Sequence, residues 1–193
     1  MRYPETMAVR RIIRMGHPLL RQRARPLTAE EIGSDRLRAL MHDMVDTLQD
    51  YGGIGLAAPQ VGESIRLAII EITDTASRYG EIPTLPLSVF INPEIEVLDP
   101  ATRGYWEGCL SVPGLRGFVE RPQKIRVRYI GADGGRGTLE LDGFLATVFQ
   151  HEFDHLDGTL YVDRLRDSTM LSFEEEFVRY LAPREAEDAG AAA

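Results

Sequence analysis

Apolar residues at Ile32, Leu37, Leu40, Met41, Met44, Val45 and Leu48 recur at intervals that predict a long helix with one face turned to a core, its methionines serving as packing. Thr28 and Glu31 read as a capping box ahead of it, and Gly52-Gly53 as its stop. The rhythm then changes. Ile65–Ile72 predicts a buried strand, and Val89–Ile91 and Ile95–Leu98 predict short ones. Ile125, Val127 and Tyr129 alternate with Lys124, Arg126 and Arg128, as a strand with one wet face would require, and Asp133-Gly134 marks a hairpin into Gly137–Leu141. Helical spacing returns over Phe144–Leu156, uninterrupted by proline. The order helix, strands, helix predicts an α+β fold: small antiparallel β-sheets packed around a central helix over Phe144–Leu156, with the first long helix near the N-terminus. Residues 1–166 are expected to form one domain. Residues 167–193 follow as a short amphipathic helix, Ser172–Leu181, stopped by Pro183, and an acidic tail, Arg184–Ala193, expected to be disordered.

The central helix carries chemistry as well as core. In His151-Glu152-Phe153-Asp154-His155 the histidines lie one helical turn apart, so both imidazoles can grip one metal ion while Glu152 stands beside it as a base. A catalytic metal site commonly takes three protein ligands. The metalloprotease extension of this motif would put another histidine six residues after His155, and Tyr161 stands there instead. His17 and His42 lie far upstream and read as surface or core residues. Cys109, in Glu107-Gly108-Cys109-Leu110-Ser111-Val112-Pro113, is the better third candidate, although a lone cysteine is also an ordinary small buried residue; Pro113 is expected to end regular structure there. Trp106, just before this segment, reads as packing. Asp154 has two readings, a carboxylate orienting a metal ligand or a partner in a surface salt bridge.

Gly53-Ile54-Gly55-Leu56-Ala57-Ala58-Pro59-Gln60-Val61-Gly62 is a glycine-rich loop. It partly matches a dinucleotide-binding fingerprint, but such a loop follows a strand and opens a helix, whereas this one follows a helical pattern and meets Pro59. A turn ending a helix fits better, with Gln60 free to act.

Composition narrows the classes. The chain has 193 residues, 44% of them hydrophobic, enough for one core. A single cysteine excludes an intramolecular disulfide framework and fits a reducing compartment. A charged opening over Met1–Gly16 and the lack of a long apolar run predict a cytoplasmic protein that does not enter membranes. The net charge of −8 argues against nucleic-acid binding, and Arg10, Arg11, Arg14, Arg21, Arg23 and Arg25 are expected to form a solvated basic face.

With the glycine loop, the cysteine segment and the histidine helix all in view, the chain resembles the peptide deformylase family from about Ile12 to Leu165. The resemblance implies a metal-dependent hydrolase that removes the formyl group from the N-formylmethionyl end of nascent polypeptides, with 1–166 as its catalytic domain. It implies Cys109, His151 and His155 as metal ligands and Glu152 as the base acting on water. The Gln60 side-chain amide and the Leu110 backbone N–H would donate to the formyl oxygen. It also implies a methionine pocket from Phe144, Thr147 and Val148, on the helix face of His151, with Ile54 from the loop. Gly53, Gly55 and Gly108 would lie along the extended peptide, and Arg116 at the substrate mouth. Thr147 departs from the family's usual aliphatic residue, and its hydroxyl is expected to bond back to the preceding helical turn.

The ligand types suit zinc or iron, and the resemblance favours Fe(2+), with zinc, nickel or cobalt able to replace it. Some deformylases carry a basic C-terminal helix implicated in ribosome contact. The run Glu174-Glu175-Glu176 departs from that and argues against direct docking. Two other classes are distinguishable: a zinc endopeptidase, which would cut within an internally blocked peptide, and a catalytically silent metal-stabilised peptide-binding homologue, which would bind without turnover.

Overall fold

A computed structural model describes residues 8–73, 76–77, 80–81 and 83–182. Pro183 and the tail expected over Arg184–Ala193 lie outside the described residues. The elements in chain order are α1 (Asp35–Tyr51), β1 (Gly55–Ala57), β2 (Leu67–Ile72), the short pair β3 (Ala76–Ser77) and β4 (Gly80–Glu81), β5 (Leu85–Cys109), β6 (Val112–Ile130), β7 (Arg136–Asp142), α2 (Gly143–Leu156), β8 (Leu171–Phe173) and α3 (Glu174–Glu176). The class is α+β.

The sheet is larger than its sequence pattern promises. Strands β1, β2, β5, β6 and β7 lie side by side in that order, all antiparallel, and β8 adds to β6. The two short strands expected at Val89–Ile91 and Ile95–Leu98 are parts of one 25-residue strand, and Lys124–Ile130 is the end of a 19-residue one. Register shifts near Asn92, Asp99 and Gly108 break the alternation that would have revealed them, and Asn92 adopts φ 48° at the first. Pro113 lies within β6 rather than ending regular structure, in the stretch where pairing skips from Cys109–Val112 to Glu107–Gly117.

β2 explains how the core is divided. Its run Leu67-Ala68-Ile69-Ile70-Glu71-Ile72 is buried on both faces, and period-two alternation sends side chains to opposite sides. Leu67 and Ile69 join Leu37, Leu40, Met44 and Leu48 of α1. Ala68, Ile70 and Ile72 join Phe149, Phe153 and Leu156 of α2, with Phe90, Ile125 and Val127 from neighbouring strands. The sheet is thus covered by α1 on one face and α2 on the other.

Helix α1 starts later than expected. Thr28 and Glu31 do form reciprocal bonds, Thr28 N–H to Glu31 Oε2 at 2.9 Å and Glu31 N–H to Thr28 Oγ1 at 3.4 Å. Gly33 then turns the chain at φ 89°, so the box caps a turn, and Ser34 caps the helix by accepting from Leu37 N–H. Gly52, left-handed at φ 71°, ends it with its N–H on the Leu48 carbonyl, as the glycine pair predicts.

The expected helix over Ser172–Leu181 is replaced at its start by β8. Of its anticipated apolar stripe only Phe177 is buried, while Phe173, Val178 and Leu181 stay exposed. Five of the six N-terminal arginines are solvent-exposed as expected, Arg10 being half-buried, but most are paired rather than free: Arg10 with Asp43 and Glu63, Arg21 with Asp163, Arg23 with Asp157 and Arg25 with Glu31, leaving Arg11 and Arg14 outside these pairs. No helix among the described residues is long and apolar enough to cross a membrane.

Candidate metal centre

Helix α2 presents His151 and His155 from consecutive turns, their ring centroids 5.3 Å apart. Opposite them the long β5 delivers Cys109 at its last position, held by the tight Leu110-Ser111 connection into β6, where Cys109 pairs with Val112. The three ligand atoms lie within 4.8 Å of one another, with Cys109 Sγ 3.3 Å from His155 Nε2. One soft sulfur and two imidazole nitrogens on three rigid positions make a donor set that fits zinc or ferrous iron. Burial works to raise the Cys109 thiol, but His155 and His151 outweigh it and hold the group well below its ordinary value, toward the thiolate a metal requires. Burial opposes charge on His151, which Cys109 and Glu107 nevertheless raise.

A buried relay behind His151 fixes its orientation. His151 Nδ1 meets Glu107 Oε2 at 2.7 Å, which turns Nε2 toward the cluster. Glu107 accepts from Arg121 Nε at 2.7 Å and Nη2 at 3.0 Å, and Arg121 Nη1 donates to Asp154 at 2.7 Å. Asp154 also takes Arg164 Nε at 3.0 Å. Asp154 therefore points inward and acts on His151 through Arg121 and Glu107, contacting neither histidine in these bonds. Burial pushes the Glu107 carboxyl up, and His151 and Arg121 more than reverse it. Sequence reasoning missed Glu107 and Arg121; the one available signal was a carboxylate two residues before Cys109.

Glu152 lies beside the cluster with Oε2 buried and without a hydrogen-bond partner among the described residues, and burial raises its carboxyl above the ordinary range. Gly55 allows this. A Cβ there would stand 2.6 Å from the Glu152 carboxyl carbon, so only glycine lets the loop pass. The loop runs from α1 into β1, the reverse of a dinucleotide fingerprint. Gln60 sits on the following turn, Ala58–Val61. Its Oε1 accepts from Ala57 N–H at 2.8 Å, leaving Nε2 aimed at Ser111 Oγ at 3.2 Å and Cys109 Sγ at 3.6 Å.

These groups open onto a cavity of about 560 Å³ whose lining includes Gly53, Ile54, Gly55, Gly108, Leu110, Arg116, Phe144, Thr147 and Val148. The anticipated pocket residues are therefore brought together. Trp106 also lines it while stacking edge-on to Phe118. Gly53 N–H is engaged by the Leu48 carbonyl at 3.3 Å. Thr147 Oγ1 accepts from Gln123 Nε2 at 3.4 Å, a partner on another element and not the preceding helical turn that its position suggested. His17 and His42 are exposed and take no part.

The model of the polypeptide deformylase family matches residues 9–170. The peptide deformylase of Leptospira biflexa serovar Patoc is 42% identical over 170 residues, 88% of this chain and 95% of its own. Among solved structures, the class I type b peptide deformylase of Acinetobacter baumannii bound to Met-Ala-Ser superposes with a TM-score of 0.78 at 36% identity, covering 83% of this chain and 100% of that one. The peptide deformylase of Synechococcus elongatus in complex with actinonin gives 0.73 at 36% identity, covering 88% and 85%.

Proposed function

The chain belongs to the polypeptide deformylase family and is a hydrolase that removes the N-terminal formyl group of nascent peptides; from that premise we propose which of its residues perform the reaction. The observation carrying the assignment is the convergence of Cys109, His151 and His155 beside a buried carboxylate with an unpartnered oxygen.

Cys109, His151 and His155 would hold a divalent ion, and we assign Fe(2+), on the family likeness and a donor set that would also accept zinc, nickel or cobalt. Bound there, such an ion supplies Lewis acidity for the formyl carbonyl and lowers the pKa of water toward neutrality. Glu107 keeps His151 in the tautomer that offers Nε2, and Arg121 keeps Glu107 charged. Glu152 takes the proton of the attacking water on its free oxygen and hands it to the departing amine. Gln60 Nε2 and Leu110 N–H donate to the formyl oxygen as charge develops on it; both are neutral donors on rigid turns. Phe144, Thr147, Val148 and Ile54 form the apolar wall for methionine, and the backbone at Gly53 and Gly108 borders the extended peptide. Breaking the formyl C–N bond releases formate and a free α-amine.

A buried base beside the ligand cluster argues against a silent binder, and the deformylase family match and relatives argue against an endopeptidase. The test is formate release from formyl-Met-Ala-Ser by anaerobically prepared, iron-loaded protein, beside an N-acetylated peptide of equal length. Formate from the first and no internal cleavage of the second is expected. Internal cleavage would replace the assignment with an endopeptidase. Loss of activity in air, prevented by nickel or cobalt, would identify iron as the working metal.

A further inference from the structure

Strand β6 passes the cavity mouth at Arg116, and β8 pairs with it in the register Leu115 to Phe173, Arg116 to Ser172 and Gly117 to Leu171. Side chains two residues apart on a strand share a face, so Glu174, just past β8, comes as a diagonal neighbour of Arg116. Glu174 Oε1 accepts from Arg116 Nε at 3.0 Å and also from Nη2. The guanidinium is thereby laid over Gly108, where a Cβ would stand only 2.2 Å from Nη1. Phe177, fully buried with its ring centroid 5.0 Å from that of Trp106, anchors the segment. Glu174 lines the cavity yet lies beyond residues 9–170, the span of the family model.

We propose that Glu174 is a specificity-determining residue: by pairing with Arg116 it fixes the guanidinium over Gly108 and cancels its charge, so that peptides are accepted without selection for acidic side chains after formyl-methionine. The inference rests on the deformylase assignment of this cavity. Among the described residues Arg14 is the other arginine lining it, and it is exposed. Because the Arg116 and Glu174 side chains are themselves 25% and 44% exposed, solvent screens the pair and its effect is a graded bias.

The experiment compares kcat/KM of the metal-loaded enzyme for formyl-methionyl peptides carrying Glu or Lys at the second and, separately, the third position. In Glu174→Gln the acidic-over-basic ratio should rise about fivefold at low salt. Added salt should shrink the change, Glu174→Lys should enlarge it, and Arg116→Gln combined with Glu174→Gln should return it toward wild type. A purely structural role would slow both substrates equally, and that outcome, or an unchanged ratio at both positions, overturns the proposal. Absence of formate release by the wild type would instead strike the deformylase assignment.

Discussion

Helices α1 and α2 cover opposite faces of one sheet and are built on opposite terms. α1 buries five of its 17 residues, Leu37, Leu40, Met44, Thr47 and Leu48, with a side-chain cap at Ser34 and a glycine stop at Gly52. α2 buries ten of its 14, among them Thr147, Gln150, Glu152, Asp154 and His155, and Asp142 at its start gives no side-chain cap. One helix is held by an apolar stripe and local capping. The other has partners assembled from distant segments: Gln150 donates to the Pro122 carbonyl, Asp154 takes Arg121 and Arg164, and His151 takes Glu107. Buried polar groups contribute little net stability even when satisfied, so while Phe149, Phe153 and Leu156 hold α2 in the core, its polar residues serve the geometry of the cluster.

The largest difference should appear when each helix loses one support. Arg121→Met leaves Glu107 and Asp154 buried without their shared cation and should cost about 3–5 kcal/mol of unfolding free energy. It should also weaken metal affinity about 10–100-fold through His151. Met44→Ala should cost about 2–5 kcal/mol with metal affinity intact. Denaturant melts with metal titrations check both, and an Arg121→Met protein of undiminished metal affinity would break the contrast.

Smaller changes sharpen it. Ser34→Ala should lower stability by about 1 kcal/mol and leave kcat/KM unchanged, because α1 touches the chemistry only through its last turn and the loop beyond. Glu31, in the turn before α1, is held at about 2 against an ordinary 4.5, because Arg25 and the Thr28 N–H bond its charged form. Its folded value is depressed, so its contribution is complete above 4.5 and fades as pH falls through 2. Thermal melts of Glu31→Gln and wild type should differ by about a degree at neutral pH and converge as the pH approaches the lower value.

What could be read along the chain follows the same division. The α1 stripe from Leu37 to Leu48, the alternation of Lys124–Ile130, the Asp133-Gly134 turn and the paired histidines are local patterns that appear where their periods put them, whereas Ile32 falls in the turn before α1. The full lengths of β5 and β6 were hidden because bulges at Asn92 and Asp99 restart the alternation. The relay was hidden for another reason. Glu107, Arg121 and Asp154 are brought together by the hairpin and the helix, and three charged residues scattered over that span resemble any wet surface. Thr28 and Glu31 mark the converse case, a true local signal whose outcome Gly33 decides.

The most direct test of Glu152 as the base is formate release from formyl-Met-Ala-Ser by iron-loaded wild type and by Glu152→Ala, with bound metal quantified in both. Full metal content is expected in the variant, with a rate reduced about a thousandfold or more. A Glu152→Ala protein that retains its metal and releases formate at the wild-type rate would contradict that role.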